Sequence, residues 1–270
     1  MGKTPQLHAS ALGTLCMEQF RRRYIEREVI PPGIALLVGT GAHKSVDANM
    51  QSKIETGELL PDEAVKEAAR DGFSTAWDEA GEVLLTPEEK FQGKDAVKGA
   101  AIDKSVRLAE LHHREKAPHI APIHAERPWS LSIPGYPMEL VGRIDIQEAH
   151  TVRDTKTSGK TPTADMAERS LQLKAYALAV RTLDGAAPTK VALDYLVDLK
   201  SPKAVTIEHA PDGEDFRVVL ARMEVIALAM ESGVFMPVEP GHWCCGSEGK
   251  WCGYWSTCRY VRHPVSTGAI

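Results

Sequence analysis

A change of character at Pro118 constrains the fold of this 270-residue chain more than any other feature. Before Pro118, apolar residues recur at helical spacing, and Glu, Lys, Arg and Ala fill the positions between them. After it, short β-type runs separated by turn residues alternate with helical stretches. The sequence therefore predicts one α/β domain, with a mixed sheet and a helical N-terminal portion.

The predicted elements follow from these patterns and from the Pro and Gly residues between them. Helices are predicted at residues 8–28, 38–56, 61–80, 86–116, 163–183 and 212–231. Strands are predicted at residues 123–133, 138–148, 151–157, 190–199 and 204–209. We expect residues 1–270 to form a single domain with a helical portion (1–117), an α/β core (118–233) and a Cys-rich segment (234–270).

The charge and hydropathy of the chain exclude some classes of protein. The 32 Lys and Arg residues against 37 Asp and Glu give a net charge of −5, which argues against coating nucleic acid through bulk positive charge. A local basic groove is still compatible with this total. The longest apolar run covers residues 34–38, far short of the roughly 20 residues of a membrane-spanning helix. Because the first ten residues do not resemble a secretion signal, we expect a cytoplasmic protein without a membrane partner.

Two aspartates are predicted to meet on neighbouring strands. Alternation along 139–146 puts Asp145 on the face opposite Leu140 and Ile144. If residues 147–150 form a turn, the next strand runs antiparallel and brings Asp154 beside Asp145. Two such carboxylates repel each other unless a cation lies between them, and Mg²⁺ or Mn²⁺ suits oxygen ligands.

Other polar side chains accompany this pair. Lys156 shares a face with Asp154, where it can orient an attacking water or offset charge on a phosphate. A single Asp-x-Lys sequence more often belongs to a solvated hairpin. Here, however, His43 is predicted in the first turn of a helix, and Gln172 and Tyr176 lie four residues apart on one helix face. The ordered set favours a catalytic site.

Four motifs resemble those of the PD-(D/E)XK nuclease superfamily. They are G-T-G-A-H at 39–43, G-R-I-D at 142–145, D-T-K-T at 154–157 and Q-L-K-A-Y at 172–176. The resemblance is to the RecB-type exonuclease branch, which includes the iron–sulfur nucleases of CRISPR adaptation and related phage recombination nucleases, and it extends from Cys16 to Cys258. It implies a restriction-endonuclease-like core, in which helices flank a mixed central sheet.

The resemblance also implies the ligands of a metal. His43, Asp145 and Asp154 would bind Mg²⁺ or Mn²⁺, assisted by the backbone carbonyl of Thr155. Many relatives have Glu in the place of Asp154, so the shorter side chain keeps the carboxylate but changes the geometry. Glu126 would be either an outer group of the site or an exposed strand residue, and the exposed position is the favoured interpretation.

The implied activity is hydrolysis of DNA. Lys156 would position the attacking water, while Gln172 and Tyr176 would hold either the DNA backbone or the lysine. We expect a metal-dependent exonuclease that acts on single-stranded or resected linear ends in recombination, repair or phage replication. Endonuclease activity at the same site and a helicase or recombination protein as partner are compatible with this expectation. The alternatives are a CRISPR-adaptation nuclease that trims DNA for integration and a noncatalytic subunit that binds DNA ends.

The five cysteines point to a second metal centre. Cys244, Cys245, Cys252 and Cys258 lie within fifteen residues, whereas Cys16 lies near the other end. An odd number of cysteines in a chain expected to stay reduced argues against disulfides and leaves inert thiols, zinc or a [4Fe-4S] cluster. The resemblance implies a structural [4Fe-4S] cluster held by Cys16, Cys252, Cys258 and Cys244, with Cys245 as the alternate to Cys244.

Aromatic and basic residues crowd the same segment. They are Trp243, Lys250, Trp251, Tyr254, Trp255, Arg259, Tyr260 and Arg262. Either they stack against single-stranded DNA or they pack around the cluster and shield it from solvent. A second basic group, Arg21 to Arg23, is explained by a charged helix face, with DNA contact as the alternative.

Overall fold

The computed structural model describes residues 5–239, 241–245 and 252–261. Its strands are β1 (Gln6–His8), β2 (His124–Ser132), β3 (Glu139–Gln147), β4 (Thr151–Ser158), β5 (Lys190–Val197) and β6 (Lys203–His209). Its α-helices are α1 (Met17–Phe20), α2 (Ile34–Thr56), α3 (Asp62–Ala80), α4 (Pro87–Gln92), α5 (Lys94–Glu115), α6 (Met166–Arg169), α7 (Leu171–Asp184) and α8 (Gly213–Ser232). None of these helices has both the length and the apolar composition needed to cross a membrane.

The six strands form one mixed sheet. β2 pairs antiparallel with β3 from end to end and so occupies one edge of that strand. The other edge is shared, because β1 pairs in parallel with the start of β3 and β4 pairs antiparallel with its end. Beyond β4 the sheet continues with β5 in parallel and β6 antiparallel. The α/β fold with a mixed sheet is confirmed.

The strands β3 and β4 separate soon after their turn. Only two residue pairs join them, Ile146 with Arg153 and Gln147 with Val152. The same register places Asp145 opposite Asp154, one step beyond the last pair. The two aspartates therefore lie where the sheet opens.

Helices cover both faces of the sheet. On one face, α7 and α8 pack through Leu173, Val180 and Met223 against residues of β3, β4 and β5. On the other face, α2, α3 and α5 form a layer around Phe73 and Leu108. Buried apolar side chains on β5 alternate between these two layers, as expected for a strand covered on both sides.

The prediction of a helix over 8–28 was wrong. The segment begins as β1, continues as a 3₁₀ turn at Ala9–Gly13 and becomes helical only from Met17, ending in a π turn at Arg21–Ile25. Leu7 and Leu12 are buried, so tertiary burial explains the apolar spacing that resembled a helical stripe.

Three other boundaries differ from the predictions. The helix predicted over 86–116 is broken at Gly93, whose φ of +91° lies outside the helical region. The helix predicted over 163–183 is two helices, because the Ser170 hydroxyl caps the start of α7 by accepting a bond from Leu173 N–H. α2 begins at Ile34 instead of residue 38, so His43 lies well inside the helix and not in its first turn. The division at 117 and 233 remains a prediction.

Candidate active site

The glycines before His43 let α2 approach its neighbours closely. A Cβ atom at Gly41 would lie 2.8 Å from the carbonyl oxygen of Ala69 on α3, and one at Gly39 would lie 3.2 Å from Thr157 Oγ1 on β4. Both positions are therefore restricted to glycine or require a shift of the neighbour. Helix α2 consequently lies against the open end of the β3–β4 pair.

His43 reaches both of these strands. Its Nε2 donates a hydrogen bond of 2.5 Å to the carbonyl oxygen of Thr155 and lies 3.5 Å from Asp145 Oδ2. The same Asp145 oxygen accepts a 2.9 Å bond from the Thr155 backbone N–H. An imidazole, a carboxylate and a backbone carbonyl thus converge as the motifs predicted.

Lys156 connects the carboxylates to α7. Its Nζ lies 3.0 Å from Asp154 Oδ1 and donates a 3.1 Å bond to Gln172 Oε1, and Gln172 Nε2 in turn donates to the Tyr176 hydroxyl over 2.5 Å. Tyr176 is buried. Of the two roles considered for Gln172, this geometry favours holding the lysine. The Tyr176 hydroxyl lies next to Gln172 in this chain of hydrogen bonds.

The site has a surplus of negative charge that its own residues do not fully offset. Burial, with the charge of Asp154, raises the pKa of Asp145 to about 7. Burial lowers the pKa of His43, but the Asp145 carboxylate and the bond to Thr155 outweigh it and the net shift is upward. Asp154 Oδ2 is buried without a hydrogen-bond partner, although Lys156 Nζ lies 2.7 Å from it outside bonding angles. A cation would relieve these conditions.

Glu126 belongs to the site, contrary to the interpretation favoured from the sequence. Its neighbours Ala125 and Arg127 pair with Ile146 and Ile144, so it lies opposite Asp145. Its φ of +49° is unusual for a residue other than glycine. One donor atom each from His43, Glu126 and Asp145 lie within 4.8 Å of one another, the one such group of three among the described residues. The pKa of Glu126 is raised by burial and by Asp47.

This donor set fits a hard divalent cation. Carboxylate and carbonyl oxygens favour Mg²⁺ or Mn²⁺, and the imidazole is compatible with Mn²⁺. Asp154 lies outside the group of three, and its carboxylate is paired with Lys156. Alternation could not identify Glu126, since its position depends on a local departure of β2 from regular strand geometry.

All five cysteines line a second, small cavity. It lies between the N-terminal helical turns and the C-terminal segment, and Arg22, Tyr254 and Trp255 complete its wall. Burial raises the pKa of the Cys252 thiol, and Cys16, Cys245 and Cys258 add to the effect. The described part of the chain therefore gathers the predicted thiols in one place.

Two members of the basic group at Arg21 to Arg23 are bound within the protein, namely Arg21 and Arg22. Arg21 donates to Glu18 and Glu26. Arg22 forms a bidentate pair with Glu28 and also donates to the Tyr254 carbonyl and the Thr257 hydroxyl. Arg22 thereby ties the cysteine segment to the N-terminal portion.

The aromatic residues of the segment divide into two groups. Tyr254, Trp255 and Tyr260 line the cysteine cavity, as the shielding interpretation predicts. Trp243 does not line it and has 66% of its surface exposed. Lys250, Trp251 and Arg262 lie outside the described residues.

Comparison with known proteins identifies the class to which this fold and site belong. The sequence profile of the PD-(D/E)XK nuclease superfamily matches residues 10–259. The chain therefore belongs to the PD-(D/E)XK nuclease superfamily, whose members use divalent metals. No curated protein matches the chain.

Solved structures extend this comparison at low sequence identity. A presumed exonuclease from Eubacterium rectale superposes with a TM-score of 0.56 at 14% identity, covering 99% of this chain and 94% of its own. The protein SSO0001 has a TM-score of 0.36 at 14% identity, with coverage of 92% and 96%. A phage-related exonuclease from Haemophilus somnus 129PT has a TM-score of 0.33 at 13% identity, with coverage of 77% and 96%. The first of these supports the fold.

Proposed function

We propose that the protein is a divalent-metal-dependent DNA exonuclease acting on linear ends. The observation that carries the proposal is a set of contacts at the open end of β3 and β4. His43 lies beside Asp145, Asp145 accepts a bond from the Thr155 backbone, and Lys156 is paired with Asp154. A noncatalytic end-binding subunit would not need a lysine held between a buried carboxylate and Gln172. Membership of a nuclease superfamily supports the same conclusion.

The proposed division of labour follows from the contacts. His43, Glu126, Asp145 and the Thr155 carbonyl would hold the cation, with Asp154 completing the acidic set. A bound divalent cation supplies Lewis-acid chemistry, which acidifies water and offsets charge on a phosphate.

Lys156 would act as a fixed positive charge. Burial lowers the pKa of its ammonium group, but the Asp154 and Asp145 carboxylates raise it more, so the group keeps its proton at Nζ near neutral pH. It can then donate a hydrogen bond to the attacking water or to a phosphate oxygen, while Gln172 fixes its direction.

Cleavage of labelled DNA tests this proposal. We expect the purified protein with Mn²⁺ to degrade end-labelled linear single-stranded DNA and to spare the covalently closed circle. A chelator and the Lys156→Ala variant should each abolish the activity, whereas Lys160→Ala, an exposed lysine nearby, should retain it. Cleavage of the circle would indicate an endonuclease, and activity retained by Lys156→Ala would refute the assigned site.

We also propose that the cysteine cavity holds a structural [4Fe-4S] cluster through Cys16, Cys245, Cys252 and Cys258. The sequence favoured Cys244, but Cys245 raises the pKa of the Cys252 thiol, and Cys258 and Cys16 raise that of Cys245, so Cys245 has the other three thiols as neighbours. Cys244 Sγ instead lies 3.1 Å from His242 Nδ1.

Zinc is the less favoured occupant. Tetrahedral Zn–S bonds of about 2.3 Å place sulfur atoms about 3.8 Å apart. Among the residues that the structure describes, no three thiols meet even a 4.8 Å limit. A [4Fe-4S] cluster, in which each thiolate binds a different iron, does not require the sulfur atoms to lie so close together.

Metal analysis separates the two vicinal cysteines. After anaerobic purification, the Cys245→Ala variant should lose most of its iron and the visible absorption of the cluster, and the Cys244→Ala variant should keep both. Full iron in Cys245→Ala with loss in Cys244→Ala would restore the assignment made from the sequence. A colourless wild-type protein with stoichiometric zinc would contradict the cluster. A cytoplasmic location and a helicase or recombination partner remain predictions from the sequence.

A further inference from the structure

A cleft of about 650 Å³ adjoins the candidate active site on the side of the cysteine segment. Lys156 lines it, together with residues from four other parts of the chain, which include Leu15, Arg169, Tyr195, Trp243 and Cys244. The volume falls within the range of about 300–1,000 Å³ typical of sites for small organic groups.

Trp243 is the unusual member of this wall. Its indole is 66% exposed, and Leu15 in the same cleft is 49% exposed. Two large apolar side chains exposed in one cleft indicate a surface that a ligand covers. Its ring centroid lies 5.7 Å from that of His242, tilted by 37°, so the two rings are not stacked and a face remains accessible.

The rest of the wall fits one kind of ligand. Lys156 and Arg169 supply positive charge, and the Arg169 side chain is 74% exposed with one bond to Asp165. An aromatic face next to cations matches a nucleotide, whose base stacks while its phosphate is neutralised. A paired base has its faces covered by its neighbours in the duplex, so the cleft suits an unpaired one.

We propose that this cleft binds single-stranded DNA and that Trp243 stacks against an unpaired base next to the phosphate facing Lys156. The inference rests on the proposed nuclease function and adds the form of the substrate. It also assigns the two aromatic groups of the cysteine segment different tasks, since Tyr254 and Trp255 cover the thiols and Trp243 faces the cleft.

Binding in the presence of EDTA tests the proposal without cleavage. Fluorescence anisotropy would compare a labelled oligothymidylate with a blunt duplex of equal length. We expect Trp243→Ala to weaken single-strand binding about tenfold or more, and duplex binding less than twofold. Trp243→Phe should stay within about threefold of wild type. Leu228→Ala, an exposed apolar residue on α8, is the matched control and should change neither affinity.

Photochemical cross-linking gives a second readout in the unaltered protein. An oligonucleotide carrying 5-iododeoxyuridine should cross-link to the peptide that contains Trp243. Unchanged single-strand affinity in Trp243→Ala, equal losses for both DNA forms, or cross-links confined to other peptides would each overturn the proposal. If the wild-type protein cleaves DNA but the Trp243→Ala variant binds single-stranded DNA as tightly as wild type, only this inference fails. If the wild-type protein neither binds nor cleaves DNA, the proposed function fails first.

Discussion

The two candidate centres of this protein are built in different ways. The carboxylate site takes its residues from a sheet and two long helices, where backbone hydrogen bonds and buried apolar contacts fix each position. The cysteine cavity lies between short helical turns and irregular chain. The first centre therefore has its charged groups fixed by regular secondary structure. The structure of the second centre depends instead on the contacts that join its chain segments to each other.

The largest expected effect concerns the charges of the rigid centre. Asp145→Asn should reduce DNA cleavage about 100- to 1,000-fold, the scale for losing one essential polar group. The same change should raise the melting temperature in EDTA by several degrees. Burial raises the pKa of Asp145 to about 7, so the metal-free fold loses stability as pH rises from about 4 to about 7, and the loss stays constant at higher pH.

Calorimetry in EDTA and in Mn²⁺ would check both parts of this prediction. In Mn²⁺ the order should reverse, because wild type gains stability from the bound metal and the variant gains less. A variant less stable than wild type in EDTA would show that Asp145 is not repelled in the fold.

A smaller effect is expected in the helical layer that packs beside the same centre, where a buried histidine should make the stability of the fold depend on pH. His112 on α5 is buried, neither ring nitrogen has a hydrogen-bond partner, and burial lowers its pKa to about 3. Below pH 6.5 the unfolded chain binds a proton that the folded chain does not. The unfolding free energy is therefore unaffected by His112 above pH 6.5 and decreases as pH falls from 6.5 toward 3.

The expected slope from this one group is about 1.4 kcal/mol per pH unit. Urea unfolding of wild type and His112→Leu between pH 6.5 and 4.5 would measure it as a difference, which cancels the carboxylates common to both. Parallel pH profiles would contradict the prediction.

The smallest effect tests whether contacts other than the proposed cluster hold the cysteine cavity together. Arg22→Lys keeps the charge but loses the bidentate pair with Glu28 and the bonds to the segment around Tyr254. We expect a loss of about 1 kcal/mol in unfolding free energy, with iron content unchanged. A loss of iron equal to that of Cys245→Ala would mean that the two centres are less different than their architecture indicates.

Much of the fold could be predicted because burial and alternation act locally. The limits of β3, β4 and β6 agree with the predicted strands to within one residue, since turns and alternating apolar residues define them. The N-terminal segment could not be predicted in this way, because Leu7 is buried by a strand about 130 residues away in sequence. Local patterns do not record that contact.

The site shows the same division between local and distant causes. Register along a hairpin predicts that Asp145 faces Asp154, and the structure places them so. Glu126 depends on a single residue with positive φ, and Trp243 on where an irregular segment meets β5 and α6. Neither is set by the periodicity of its own neighbours.

The contacts of Arg22 and β1 also have a consequence for how the chain is made. β1 pairs with β3, and Arg22 reaches Tyr254, 232 residues further along the chain. At about 5–20 residues per second, a ribosome needs roughly 10–50 s to cover that distance. The partner strand of β1 is made well before this time has passed, so β1 can pair with β3 while Arg22 still waits for Tyr254. The N-terminal segment would therefore assemble in two steps, first on the sheet and last on the cysteine segment.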